Sequence, residues 1–261
     1  VTTSAAAVLA GTLRVLPRHE WEPLVPGPGT AAVPFTAVGD PAWLDRELAL
    51  RGQRWGTDDR RVLATLWWYS VSVWFQAPAV ASLVATGRVL SPLPGDVALH
   101  RLPDSRVTGG TSSRVLDGPD PVEAFAAALR EALERVVPLV AAAGRMRERP
   151  LWAIASDSTA ERFLWAGRAV GDEPRAAALA ERVAEAVGDP LPRIRWVDVV
   201  PAGADGRDRP ELGTHRFLRR ASCCLLYEAP GQGMCGTCPG RPPEERLRRM
   251  RAAAVTRPRG G

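Results

Sequence analysis

The run Arg219-Arg220-Ala221-Ser222-Cys223-Cys224-Leu225-Leu226-Tyr227, continued by Gly231-Gln232-Gly233-Met234-Cys235-Gly236-Thr237-Cys238-Pro239, holds every cysteine of the chain. The spacing is C-C-x10-C-x2-C, close to the end of 261 residues. Four thiols in so short a segment mark a site that the rest of the chain must support. Disulfides fit poorly, because a bond between adjacent Cys223 and Cys224 strains the peptide joining them. The opening Val1 to Leu16 also lacks the order of a secretion signal. Clustered thiols in a reducing compartment bind metal or carry redox chemistry. Zinc takes four thiolates tetrahedrally, usually from two separated C-x2-4-C knuckles, and only Cys235 and Cys238 form one here. A [2Fe–2S] centre takes two thiolates on each iron, so its ligands need not converge; the plant-type ferredoxin spacing is absent. Spacing favours iron–sulfur over zinc and leaves both open.

The same residues resemble the signature of the FhuF-type ferric-siderophore reductases, whose C-C-x10-C-x2-C pattern is matched at all four positions. That resemblance implies a [2Fe–2S] cluster on Cys223, Cys224, Cys235 and Cys238. It also implies one-electron reduction of chelated Fe(III) to Fe(II), with iron released in the cytoplasm. A looser likeness to the family's N-terminal region runs from Trp67-Trp68-Tyr69 through Pro78 to Gly87-Arg88-Val89-Leu90. The chemistry is coherent, since oxygen donors grip the hard Fe(III) ion and hold Fe(II) far less well. The expected partners are a ferric siderophore and an external electron donor, a ferredoxin or a flavin reductase. No G-x-G-x-x-G follows a strand to provide a dinucleotide site within the chain. Two alternatives stand beside this reading: a [2Fe–2S] electron carrier or redox sensor acting on a protein partner, and a zinc-stapled structural domain.

Around the thiols, Gly231, Gly233 and Gly236 allow backbone to approach sulfur, and Pro239 fixes a turn. Arg219 and Arg220 either favour the negative charge added on reduction or form a solvated pair. Proximity makes His215, Arg216, Arg219 and Arg220 the candidate rim for an anionic chelate. Four cysteines already saturate a cluster, so His215 is read as a surface or packing histidine rather than a ligand. His19 and His100 are the only others, which leaves no histidine-rich metal centre.

Working outward, 46% hydrophobic and 24% charged residues describe a globular chain able to bury one large core. Every basic residue is Arg, so arginine number alone says little about anion binding. The net charge of +5 thickens at Arg241, Arg246, Arg248, Arg249, Arg251, Arg257 and Arg259. Without a recognition motif or interleaved aromatics this reads as a solvated tail helix and not a nucleic-acid surface. It leaves room for peripheral contact with the inner face of the cytoplasmic membrane. The uncharged stretch Val62 to Gly87 is long enough to span a bilayer, but its polar residues and mid-segment tryptophans predict two buried helices broken at Pro78.

Pro/Gly punctuation predicts loop with short extended pieces over residues 1–40. Helices are expected from Asp40-Pro41 to about Arg51, from Thr57-Asp58-Asp59 to Gln76, and from Pro78 to Thr86. Residues 97–115 read as a hairpin turning at Gly109-Gly110-Thr111. Asp120-Pro121-Val122-Glu123 opens a helix with Phe125, Leu129, Leu133, Val136 and Val140 on one stripe, a kink at Pro138 and a stop at Gly144. Two more helices follow, Pro150 to Val170 and Pro174 to Val187. Then come extended runs at Arg193 to Val200 and Leu212 to Tyr227, and a terminal helix from Pro243. The tryptophans read as core. The fold class is α+β, predominantly helical: a single mixed body over residues 1–210 supplying the chelate pocket, with a C-terminal iron–sulfur segment and terminal helix over 211–261.

Overall fold

Short polar caps and left-handed stops set most of the element boundaries in the computed structural model, which describes residues 3–256. Val1, Arg257 and Arg259 lie outside them. Helix α1 (Ala5–Val15) opens beneath Ser4, whose Oγ accepts the Ala7 N–H at 3.2 Å. This corrects the expected loop, since the first proline is Pro17 and the single Gly11 is carried inside the helix. The helix is held by Leu9, Leu13 and Leu16 packing on Ala77 and Ala81, a tertiary cause with little local signature.

Asp40 caps α2 (Pro41–Trp55), which stops at left-handed Gly56. Asp59 caps α3 (Arg60–Phe75) by accepting the Arg61 and Val62 N–H groups, and α4 (Ala77–Thr86) follows after Gln76. The uncharged stretch is therefore two buried helices. No helix among the described residues is long and apolar enough to cross a membrane.

Strands β1 (Ala31–Pro34), β2 (Val97–Arg101) and β3 (Val107–Ser112) form an antiparallel sheet in that order. The hairpin is present, but it turns through residues 102–106, with Ser105 at φ 68°. Gly109 and Gly110 instead lie inside β3, where the strand runs against other backbone. A Cβ at Gly109 would stand 2.4 Å from the Pro23 carbonyl oxygen, and one at Gly110 3.1 Å from that of Trp74. Only hydrogen fits at Gly109, and Gly110 leaves little more room.

Helices α5 (Pro121–Gly144), α6 (Arg149–Ala169) and α7 (Glu173–Val187) complete the body. Asp120 Oδ1 receives the Val122 N–H at 2.8 Å, the predicted stripe of α5 is buried, and Pro138 sits within the uninterrupted helix. The left-handed stop is Arg145 (φ 49°) rather than Gly144, which ends the helix where its backbone presses on Ala64 of α3. Trp67, Trp68, Phe75, Phe125 and Phe163 are fully enclosed, and Trp68 Nε1 donates to the Leu151 carbonyl at 2.8 Å.

Beyond α7, β4 (Trp196–Val199) pairs antiparallel with β5 (His215–Leu218), so this ribbon takes a strand from either side of residue 210. Helix α8 (Pro243–Val255) covers it, placing Met250 and Ala254 on Val199 and Phe217. The arginines in and just before it are partly neutralised within the fold, Arg241 and Arg249 by Glu245 and Arg251 by Asp208. The extended run expected to reach Tyr227 is strand only as far as Leu218. The whole is a predominantly helical α+β body carrying the C-terminal cysteine segment.

Candidate iron–sulfur site

Helices α3 and α6 lie side by side, bridged by Ser72 and Ser158 hydroxyls 2.6 Å apart. At spacings of four and three residues, Val62, Leu66 and Tyr69 share one face of α3 and receive Cys224, Leu225, Leu226 and Cys235. From α6, the buried carboxylate of Asp157 accepts the Ala221 and Ser222 backbone N–H groups, both at 2.9 Å, and the Ser222 hydroxyl. These bonds replace the ladder that β5 would have needed to continue, and they explain why the strand stops. Burial holds the Asp157 carboxyl above the usual range, although every one of these donors pulls it down.

Arg220 is buried between the body and the thiols. Its Nε lies 3.6 Å from Asp157, its guanidinium covers the Tyr69 ring with 4.9 Å to the centroid, and Nη1 donates to Cys235 Sγ at 3.3 Å. It is therefore no solvated surface partner of Arg219, which is exposed and donates its backbone N–H to the Arg195 carbonyl at 2.8 Å. His215 Nε2 lies 3.2 Å from the Leu212 carbonyl, and Arg216 makes two 2.7 Å bonds to Asp198 across the β4–β5 ribbon. Of the four residues expected at the rim, Arg220 is the one bonded to a cysteine sulfur.

All four cysteines are free thiols, with Cys224 and Cys238 buried and Cys223 and Cys235 half-buried. They associate in pairs, Cys224 with Cys235 and Cys223 with Cys238. The bond shared with Cys235 draws the Cys224 thiol down to about 5 and pushes Cys235 up, so one proton serves both sulfurs. Burial raises Cys223. Leu225, at φ 58°, turns its N–H toward Cys223 Sγ at 3.5 Å, and the Leu226 N–H reaches Cys224. Two backbone donors and one guanidinium thus face the sulfurs, as a four-thiolate anion requires. Among the described residues no group of three or more His, Cys, Asp or Glu side chains is placed to hold a metal ion. Four thiols that act on one another electrostatically would nevertheless suit a two-iron centre, which takes two thiolates on each iron.

A cavity of about 760 Å³ opens beside Cys223. Arg61 of α3, Arg145 and Arg147 of the α5–α6 connection, Arg149 at the start of α6, and Ser222, Cys223 and Leu225 of the thiol segment line it. Neither Asp157 nor these arginines is marked by local spacing. The usable signal for Asp157 was the polar run Ser156-Asp157-Ser158-Thr159 set directly after the apolar stretch of residues 151–155, and all four residues are buried.

Residues 220–239 match the family model of the FhuF 2Fe-2S C-terminal domain. No curated protein matches the chain. The matched residues begin at the buried arginine and end just past the last thiol, so the segment that carries all four cysteines is similar to the [2Fe–2S] domain of the FhuF-type family.

Proposed function

We propose that this protein is a ferric-siderophore reductase that delivers one electron to chelated Fe(III) and lets the weakly held Fe(II) go. Cys223, Cys224, Cys235 and Cys238 are the proposed ligands of the cluster. When bound, a [2Fe–2S] cluster supplies a one-electron carrier of low potential. The remaining work falls to the chain itself. Asp157 fixes the turn that presents Cys223 and Cys224. Arg220 and the Leu225 and Leu226 N–H groups direct positive charge at the sulfurs, which favours uptake of an electron. The cavity seats the chelate against Cys223, and an external ferredoxin or flavin reductase supplies the electron.

The observation that carries this reading is the coincidence of the matched segment with the wall of the 760 Å³ cavity, a volume suited to a small-molecule ligand. The test is anaerobic. The protein is reduced and mixed with a panel of ferric siderophores and an Fe(II) trap. Restoration of the oxidised visible spectrum in step with trapped Fe(II) is the expected result. A reduced cluster that no chelate reoxidises would instead identify an electron carrier or sensor, and a colourless zinc protein would remove both readings.

A further inference from the structure

Resting on the reductase reading, the charge of the cavity bears on which chelates it takes. We infer that the cavity beside Cys223 selects ferric chelates of net negative charge, with catecholate or carboxylate donors, and grips them through Arg145, Arg147 and Arg149. Four of its lining residues are arginines and none is acidic. Arg61 is already committed to Glu228 and Asp59. Arg145, Arg147 and Arg149 are exposed and have no carboxylate within ion-pair distance among the described residues. Glu148, in the same turn, receives Trp152 Nε1 at 3.4 Å and does not line the cavity.

The turn itself is anchored at both ends. Arg145 closes α5 in a left-handed conformation with its N–H on the Ala141 and Ala142 carbonyls, and Arg149 begins α6. Three guanidiniums are thus presented to one space, while Met146, Pro150 and Ala153 give it an apolar floor. An anionic chelate brought beside a cluster of four thiolates meets like charge, and cations lining the approach offset that repulsion. A neutral chelate has no use for them. Guanidiniums also match carboxylate and catecholate oxygens in a planar, two-point fashion.

The test uses gallium(III) chelates, which carry the charge of their ferric counterparts and accept no electron. A hexadentate tricatecholate, trianionic, and a hexadentate trihydroxamate, neutral, are titrated calorimetrically into the cluster-loaded protein. The anionic chelate is expected to bind at least about tenfold more tightly and to weaken steeply as salt rises. Arg147→Ala and Arg149→Ala should each weaken it by roughly tenfold, the value of one lost charge-assisted bond. Arg145→Asn, which tolerates the left-handed backbone, should do likewise. Arg88→Ala, exposed and not among the residues that line this cavity, is the control and should change nothing; circular dichroism and the visible spectrum establish that each variant folds and keeps its cluster. Equal binding of the two chelates, or variants indistinguishable from the control, would overturn the inference. Because gallium is not reduced, that result is independent of turnover: reduction of neutral ferric chelates alone would keep the reductase reading while discarding this one.

Discussion

A guanidinium enclosed by protein must find acceptors or counter-charge, since an isolated buried ion is prohibitively costly. Arg220 has the Asp157 carboxylate, the Tyr69 face and the Cys235 sulfur, although its Nε and Nη2 make no hydrogen bond. Removing its charge with Arg220→Gln should lower the cluster potential by on the order of 100 mV, taking one unit charge a few ångströms away at an effective dielectric near 20. Spectroelectrochemical titration reads this directly, and an unchanged potential would show that solvent, not Arg220, sets it. Asp157→Ala strands the buried guanidinium together with three donors of the Ala221–Ser222 turn. We expect a loss of about 3–5 kcal/mol in denaturant unfolding. Asp157→Asn should do little better, because its amide NH2 would face either the Ala221 N–H or the Ser222 N–H, whichever way it is turned, and it carries no charge for Arg220. The thiols were legible because their chemistry depends on local spacing. Asp157 was not, because its partners lie 64 and 65 residues away in the chain.

Element boundaries were readable wherever a cap decides them: Asp40, Asp59 and Asp120 each hold the N–H groups their positions predict. They were misread where tertiary contact decides, as at α1, which leans on α4, and at Gly109, which looks like turn material and is a close-packed strand residue. Gly144 ends α5 as its position predicts, but a tertiary contact and not only the stop requires glycine there. A Cβ there would stand 2.6 Å from the Ala64 Cβ, and neither helix can give way cheaply. Gly144→Ala should therefore destabilise by about 1–3 kcal/mol through overpacking, whereas a mere helix stop would tolerate alanine. The β4–β5 ribbon offers a pH test. The Arg216 hydrogen bond holds the Asp198 carboxyl below its usual value. A carboxyl depressed in the fold stabilises above its unfolded pKa and loses that contribution as pH falls through the folded one. The pair is partly exposed, so it is worth at most about 1 kcal/mol. Asp198→Asn should remove that increment at pH 7 and match the parent at acid pH.

At the scale of the molecule, the main core is built from α2 to α7 with the three-stranded sheet, and it contains no residue of the thiol segment. That segment is held instead by the small cluster of Val62, Leu66 and Cys224, by the Asp157 anchor and by the Arg61–Glu228 pair. The sequence showed this division only as a change from helices to extended runs after Val187, since packing of one on the other depends on contacts between distant positions. Two parts of such unequal support should respond differently to loss of the cluster. With iron removed the four cysteines are free thiols, and no cross-link closes the loop between Cys223–Cys224 and Cys235–Cys238. Hydrogen exchange should then speed up at Leu225, Leu226 and Cys238, where local unfolding needs no disruption of the main core. Amides of α3, α5 and α6 should keep their protection. The thermal midpoint should fall by on the order of 10 °C, a few kcal/mol at about 2–4 °C each for a chain this long. Deprotection spreading into α3 and α6 would show that the cluster, rather than the helical core, nucleates the fold, and the body would then have to be regarded as dependent on its iron.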